Sequence, residues 1–243
     1  MKAMLFAAGL GTRLKPLTDT MPKALVPLAG KPLLQWQIEQ LRDAGVTDIV
    51  VNVHHFPDQI IAAIRDHDGW GCKVVVSDER EQLLETGGGL RKAYQNGLLA
   101  ANEPVLACNV DILSTIDGRD LIRRYEQTGV SQLVVSERQT QRYLCFDAQD
   151  RLCGWTNIAT GELKGTDGRH LAFSGCQLLR PEVLARLQEM PEEKFSLIAF
   201  YLRLCDKEPF QAYVPAQYHM MDVGKIDQLA EAEHFARTLA TPN

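Results

Sequence analysis

The chain has 243 residues, 45% hydrophobic and 23% charged, the balance of an ordinary globular protein of one large or two small domains. That excludes a disordered, collagenous or membrane-embedded chain, and at this length a core forms without disulfides or a structural metal. The net charge of −5 argues against a duplex nucleic-acid binder, yet residues 1–31 carry +4 while the remainder carries −9. A cationic patch on an acidic chain points to a local anion site for a few phosphates. Lys2 and the apolar run Ala3–Ala8 mimic a secretory signal, but the run passes straight into a basic glycine-containing loop with no cleavage-like flank. No apolar stretch approaches the roughly 18 residues that a membrane span needs. The six cysteines never occur as C-x-x-C and read as reduced, mostly buried thiols, so a cytoplasmic protein is expected.

In chain order, short apolar strands are predicted at Ala3–Ala8, Asp48–Val53, Lys73–Val76, Val105–Cys108 and Gln132–Val135. Helices are predicted between them at Leu33–Ala44, Pro57–Asp66, Leu90–Leu99 and Gly118–Gln127. This alternation implies βαβ units and a mainly parallel sheet covered on both faces. Beyond about residue 140 the pattern changes to antiparallel pairs. Strands are predicted at Tyr143–Phe146, Leu152–Trp155, His170–Leu179 and Gln211–Val214, and helices at Pro181–Leu187, Phe195–Leu204 and about Lys225–Leu239. The expectation is one α/β domain in three αβα layers, Rossmann-like, with a small antiparallel extension. The chain would divide into residues 1–140 and residues 141–243, the second part ending in a closing helix.

The most informative stretch is Leu5-Phe6-Ala7-Ala8-Gly9-Leu10-Gly11-Thr12-Arg13-Leu14-Lys15-Pro16-Leu17-Thr18, followed by Lys23, Pro27, Lys31 and Pro32. A strand ending in Ala-Ala-Gly-x-Gly presents backbone N–H groups with no side chains in front, so phosphates or a flat base approach closely. Arg13 and Lys23 supply the charge that polyphosphate binding needs. The dinucleotide fingerprint fails because Leu14 stands where its last glycine belongs, and no P-loop is present.

This stretch resembles the signature of the sugar-1-phosphate nucleotidyltransferases, L-x-A-[AG]-G-x-G-[ST]-R-[LM]-x-P-L-T followed by P-K-x-L-[VL]-P and K-P. The resemblance implies a GT-A-like nucleotidyltransferase fold, with residues 1–140 as a nucleotide-binding half and residues 141–243 as a sugar-binding half, and transfer of a nucleotidyl group from an NTP to a sugar 1-phosphate. It further implies nucleotide contacts at Ala7, Ala8, Gly9, Gly11 and Thr12, with Arg13 and Lys23 catalytic. The family's two metal-binding aspartates correspond here to Asp111, after the strand Val105–Cys108, and Asp222, in Met221-Asp222-Val223-Gly224. The implied cofactor is Mg²⁺, whose preference for hard carboxylate oxygens suits that pair. Alone, either aspartate reads as a cap or turn residue.

Leu84-Glu85-Thr86-Gly87-Gly88-Gly89 matches the family's L-G-T-A-G-A segment and implies base contacts at Glu85, Thr86 and Gly87, with Glu85 where many members have Gly. L-E-T-G-G-G resembles the short-chain branch of N-acetylmuramate-1-phosphate uridylyltransferases and heptose- or mannose-1-phosphate guanylyltransferases. Ala7-Ala8-Gly9 favours UTP over GTP, and a cytidylyltransferase acting on phosphocholine or a sugar alcohol phosphate is the further alternative. The family's E-K-P stretch is absent, so the sugar contacts pass to Asn109 and Gly175, with Asn157 and Tyr143 as weaker candidates. No Cys/His or Ser/His/Asp constellation is visible, and the six histidines read as structural. The expected partners are the NTP and the sugar 1-phosphate, with neither nucleic acid nor membrane, in a monomer or small homo-oligomer.

Overall fold

The computed structural model describes residues 1–240. Its first part runs β1 (Lys2–Phe6), β2 (Pro27–Leu28), β3 (Lys31–Pro32), α1 (Leu33–Asp43), β4 (Asp48–Val53), α2 (Pro57–Asp66), β5 (Lys73–Asp78), α3 (Glu85–Gln95), β6 (Val105–Asn109), β7 (Ile112–Ser114), α4 (Gly118–Thr128) and β8 (Ser131–Ser136). The second part runs β9 (Arg142–Phe146), β10 (Leu152–Asn157), β11 (Glu162–Gly165), β12 (Arg169–Leu179), α5 (Pro181–Ala185), α6 (Leu197–Leu204), β13 (Phe210–Tyr213), β14 (Met220–Asp222) and α7 (Leu229–Ala240). Ten strands form one sheet through both parts.

Strands β5, β4, β1 and β6 lie side by side and parallel; β4, β1 and β6 are largely buried on both faces, while β5 at the sheet edge leaves Lys73 and Val75 exposed. The long strand β12 runs antiparallel to β6, with Cys176 opposite Cys108. It then forks. Its first residues pair with β9, which leads to β10 and β11, while later ones pair with β8, itself parallel to β13. The β12–β8 register shifts between Phe173 and Gln177, and Gly175 adopts φ +70° inside this irregularity. A Cβ there would meet Ile112 at 2.9 Å and the Asn109 carboxamide at 3.0 Å, so glycine answers to both conformation and space.

Helices α1, α2 and α4 bury Ile38, Leu41, Ile60 and Leu121 against one sheet face. Helices α3, α5 and α6 bury Leu90, Ala93, Leu184 and Phe200 against the other, giving three layers. A separate cluster joins α7 to Leu14, Leu28, Leu113 and Val223. Among the described residues no helix is long and apolar enough to cross a membrane. All six cysteines are free, and four are buried.

One helix departs from the pattern read along the sequence. Helix α3 begins at Glu85 and ends at Gln95, against the expected Leu90–Leu99. Three successive glycines are poor helix formers in isolation, and tertiary packing overrides that preference. At Gly89 a Cβ would fall 2.6 Å from the Glu79 carboxylate, so the helix approaches β5 as closely as it does only without side chains. The short strands β7, β11 and β14 escape a reading based on periodicity. In particular, β7 pairs with β14 across about a hundred residues, with Ile112 opposite Asp222.

Candidate active site

The C-terminal ends of β1 and β6 open into a cavity of about 520 Å³. Ala7, Ala8, Gly9, Gly11, Thr12 and Arg13 line it from the loop after β1, Glu85 and Thr86 from the start of α3, and Asn109 and Asp111 from the end of β6. Lys23 completes the wall. Eleven of the residues singled out in the sequence thus surround one space, although more than a hundred positions separate the first from the last.

The glycine loop is held from beneath by a buried polar relay. Ala7 N–H donates to Asn52 Oδ1 at 2.8 Å, and Asn52 Nδ2 donates to Glu79 Oε1 at 2.8 Å. Glu79 is fully buried, and burial pushes its carboxyl pKa up, opposed by the Asn52 bond. The backbone N–H of Leu84 also reaches Glu79, at 3.4 Å, so the same carboxyl supports both the β1 loop and the entry to α3. The sequence reading missed Asn52 and Glu79. The available signal was a lone amide in the otherwise apolar run of β4, since a buried amide needs a partner.

The charged centre lies where β6 meets the β7–β14 ribbon. Lys23, buried, forms an ion pair with Asp111 Oδ2. Val223 N–H donates to the Asp111 carbonyl at 2.8 Å, drawing the end of β14 to the end of β6. Asp222 therefore stands beside Asp111. Crowding by the protein first, and the Asp111 charge second, raise the Asp222 pKa, while Lys23, Arg13 and Arg138 oppose that rise. Arg13 passes over Gly224, where a Cβ would come within 3.0 Å of its guanidinium. Two carboxylates and two cations are thus grouped here, with Asp111, Lys23 and Arg13 in the cavity wall and Asp222 next to it.

Gly87, Gly175, Asn157 and Tyr143 fall outside this lining. Gly87 is turned toward Phe195: its N–H donates to the Phe195 carbonyl at 2.9 Å, and Gly88 N–H donates to the same oxygen at 3.2 Å. These two N–H groups are therefore engaged within the protein. Thr86 Oγ1 accepts from Leu197 N–H at 3.0 Å, which fixes α6 beside the cavity. Glu85 has φ +62°, the left-handed region that favours glycine, in keeping with the Gly expected there. Gly175 packs on Asn109 behind the cavity. Asn157 ends β10, and its Oδ1 accepts from Ala159 N–H of the following turn at 3.1 Å.

Tyr143 belongs to a second cavity of about 740 Å³ on the antiparallel extension. Its floor is Leu144, Trp155, Phe173 and Ile198, and Arg138, Arg142, Lys164 and Arg203 surround it with no acidic side chain among its lining residues. Ser196, the N-cap of α6, lines both cavities and joins them.

A family model described as nucleotidyl transferase matches residues 2–238. The chain belongs to that family. This nucleotidyltransferase is 44% identical to N-acetylmuramate alpha-1-phosphate uridylyltransferase of Neisseria meningitidis serogroup B, over 97% of the chain and 98% of the relative. It is 34% identical to the protein of the same name from Caulobacter vibrioides, over 83% of each. In fold it is similar to the UTP-bound UGPase of Acinetobacter baumannii, with a TM-score of 0.81, 19% identity, and coverage of 100% of this chain and 94% of the other. The enzyme is accordingly a sugar-1-phosphate nucleotidyltransferase, and its mainly parallel sheet with helices is the fold of that group.

Proposed function

We propose that this enzyme transfers a uridylyl group from UTP to N-acetylmuramate 1-phosphate, releasing pyrophosphate. The observation that carries the acceptor choice is the cationic cavity joined to the nucleotide cavity at Ser196. N-acetylmuramate differs from N-acetylglucosamine by a lactyl ether bearing a carboxylate, and Arg138, Arg142 and Arg203 offer that anion charge over an apolar floor. The two relatives named for this activity support the same acceptor.

The base rests on Glu85 and Thr86, and the triphosphate on the backbone of Ala7–Thr12. Arg13 holds the β- and γ-phosphates, and Lys23 faces the α-phosphoryl group. The acceptor phosphate oxygen is already anionic at neutral pH, so no general base is needed. It attacks the α-phosphorus as the bond to the β-phosphate oxygen breaks and pyrophosphate departs. The protein's work is alignment and charge neutralisation.

A divalent ion fits the donor set of Asp111 and Asp222. Both offer hard oxygens, and the Lys23 ammonium already occupies a cation position against Asp111. Their mutual repulsion, part of the cause of the raised Asp222 pKa, is what a cation between them would relieve. Asp111 and Asp222 would hold Mg²⁺, which when bound neutralises phosphate charge. The site of action is taken to be the cytoplasm, where nucleoside triphosphates are abundant.

The test is pyrophosphate release with N-acetylmuramate 1-phosphate and each of UTP, GTP, CTP and dTTP. UTP is expected to exceed GTP by at least about tenfold in kcat/KM, roughly 1.4 kcal/mol of discrimination. A preference for GTP would move the enzyme to the guanylyltransferase reading.

A further inference from the structure

A second group of ligand-type side chains stands on the antiparallel extension, away from the nucleotide cavity. His170 of β12 pairs directly with Cys145 of β9, which brings their side chains to one face of the sheet. Asp167 reaches the same point from the turn before β12. Its Oδ1 lies 2.6 Å from His170 Nε2 and 3.8 Å from Cys145 Sγ, and also accepts from Gly168 N–H at 2.9 Å. The three ligand atoms fall within 4.8 Å of one another, with Cys145 buried and the other two exposed. In the sequence these residues are 22 and 3 positions apart, a spacing with no metal-motif form, so the cluster emerges only through strand register.

We propose that Cys145, Asp167 and His170 form a binding site for a zinc-class divalent cation, with solvent in the fourth position. One sulfur, one imidazole nitrogen and one carboxylate oxygen are the borderline-soft donors that such an ion selects. Tetrahedral bonds of about 2.0–2.3 Å place donor atoms roughly 3.3–3.8 Å apart. The Cys145–Asp167 separation already matches, and the Asp167–His170 contact opens by under about 1 Å. The thiol proton and any imidazolium proton are released as the ion enters.

This site differs in chemistry from the Asp111–Asp222 pair, which offers oxygen only. It also has a structural consequence. The His170 ring stacks on Tyr143, with centroids 5.7 Å apart and planes inclined by 20°, and Tyr143 lines the cationic cavity. A bound ion would clip the turn at 166–168 to β9 and hold that wall in place.

The experiment is titration of the full chain, stripped with chelator and supplied with excess Mg²⁺, with Co²⁺ as an optical probe. A sulfur-to-cobalt absorption band is expected to saturate at one equivalent and to be displaced by Zn²⁺. Cobalt on Asp111 and Asp222 would give no such band. His170→Ala and Asp167→Asn, both at exposed positions, should lose the band while keeping a cooperative melt, and Zn²⁺ should raise the melting temperature of the unaltered protein but not of His170→Ala. Absence of the sulfur band in the unaltered protein, or the same band and affinity in His170→Ala, would overturn the site.

Discussion

The two cavities are built in opposite ways. The nucleotide cavity draws seven of its lining residues from the continuous run Ala7–Arg13, whose backbone is fixed by β1 above and the Asn52–Glu79 relay below. The cationic cavity draws its lining from five separate elements, β9, β10, β11, β12 and α6, with arginines among them. A site made of backbone and small residues is rigid and tolerates little change. A site made of separate long side chains changes its specificity one residue at a time.

That contrast predicts the largest losses at the nucleotide side. Asp111→Asn and Asp222→Asn should each remove most Mg²⁺-dependent pyrophosphate release, and the double variant should be little worse than either single one, because groups acting on one ion are non-additive. Multiplicative losses would separate the two carboxylates. Lys23→Ala and Arg13→Ala should fold normally and lose roughly 10²–10³-fold in kcat, the scale for deleting one preorganised charge-stabilising group. Near-normal kcat in both would remove them from the reaction.

On the acceptor side the expected effect is smaller and of a different kind. Arg142→Ala and Arg203→Ala should each raise KM for N-acetylmuramate 1-phosphate about tenfold, the worth of one charged hydrogen bond, and leave KM for UTP unchanged. Equal changes for both substrates would show that the two cavities do not divide the work.

The relay beneath the glycine loop gives a pH test. Burial raises the Glu79 pKa above its unfolded value, so the native state binds the proton more tightly. The carboxyl's contribution is fully present below the unfolded pKa and is lost as pH rises through the folded one. Glu79→Gln keeps the acceptor for Asn52 without the charge. Thermal melts should therefore show the unaltered protein gaining on Glu79→Gln as pH falls from 8 toward about 4.3, the ordinary glutamate value. A difference independent of pH would mean that Glu79 does not change its protonation in that window. The smallest expected effect is at Glu85, where φ +62° disfavours an L side chain. Glu85→Gly should stabilise the fold by about 0.5–1 kcal/mol in denaturant titration, and lower stability would show that the side chain outweighs the strain.

How far the site is legible in the sequence follows the same division. The loop residues are contiguous, so their spacing is visible without the fold. Asp111 and Asp222 are visible only through resemblance, since their convergence depends on the β7–β14 pairing and the Val223–Asp111 bond. Gly87 looks equivalent to its neighbours along the chain, yet the helix turns it to Phe195. The cationic cavity was not legible, because Arg138, Arg142, Lys164 and Arg203 share no periodicity and meet only where β12 forks. Tyr143 alone marked that region. The parallel βαβ character of the first half was legible, because helix and strand alternate there, and β11 and β14 were not, being too short to show a period.

The central claim is that nucleotide transfer occurs in the first cavity while the second reads a carboxylate on the acceptor. The most direct measurement compares kcat/KM for N-acetylmuramate 1-phosphate and N-acetylglucosamine 1-phosphate at saturating UTP, since the two acceptors differ only in the lactyl group. The account predicts a preference of at least about tenfold for the muramate, from charged hydrogen bonds that the other sugar cannot make. Equal values, or a preference for the glucosamine, would contradict it.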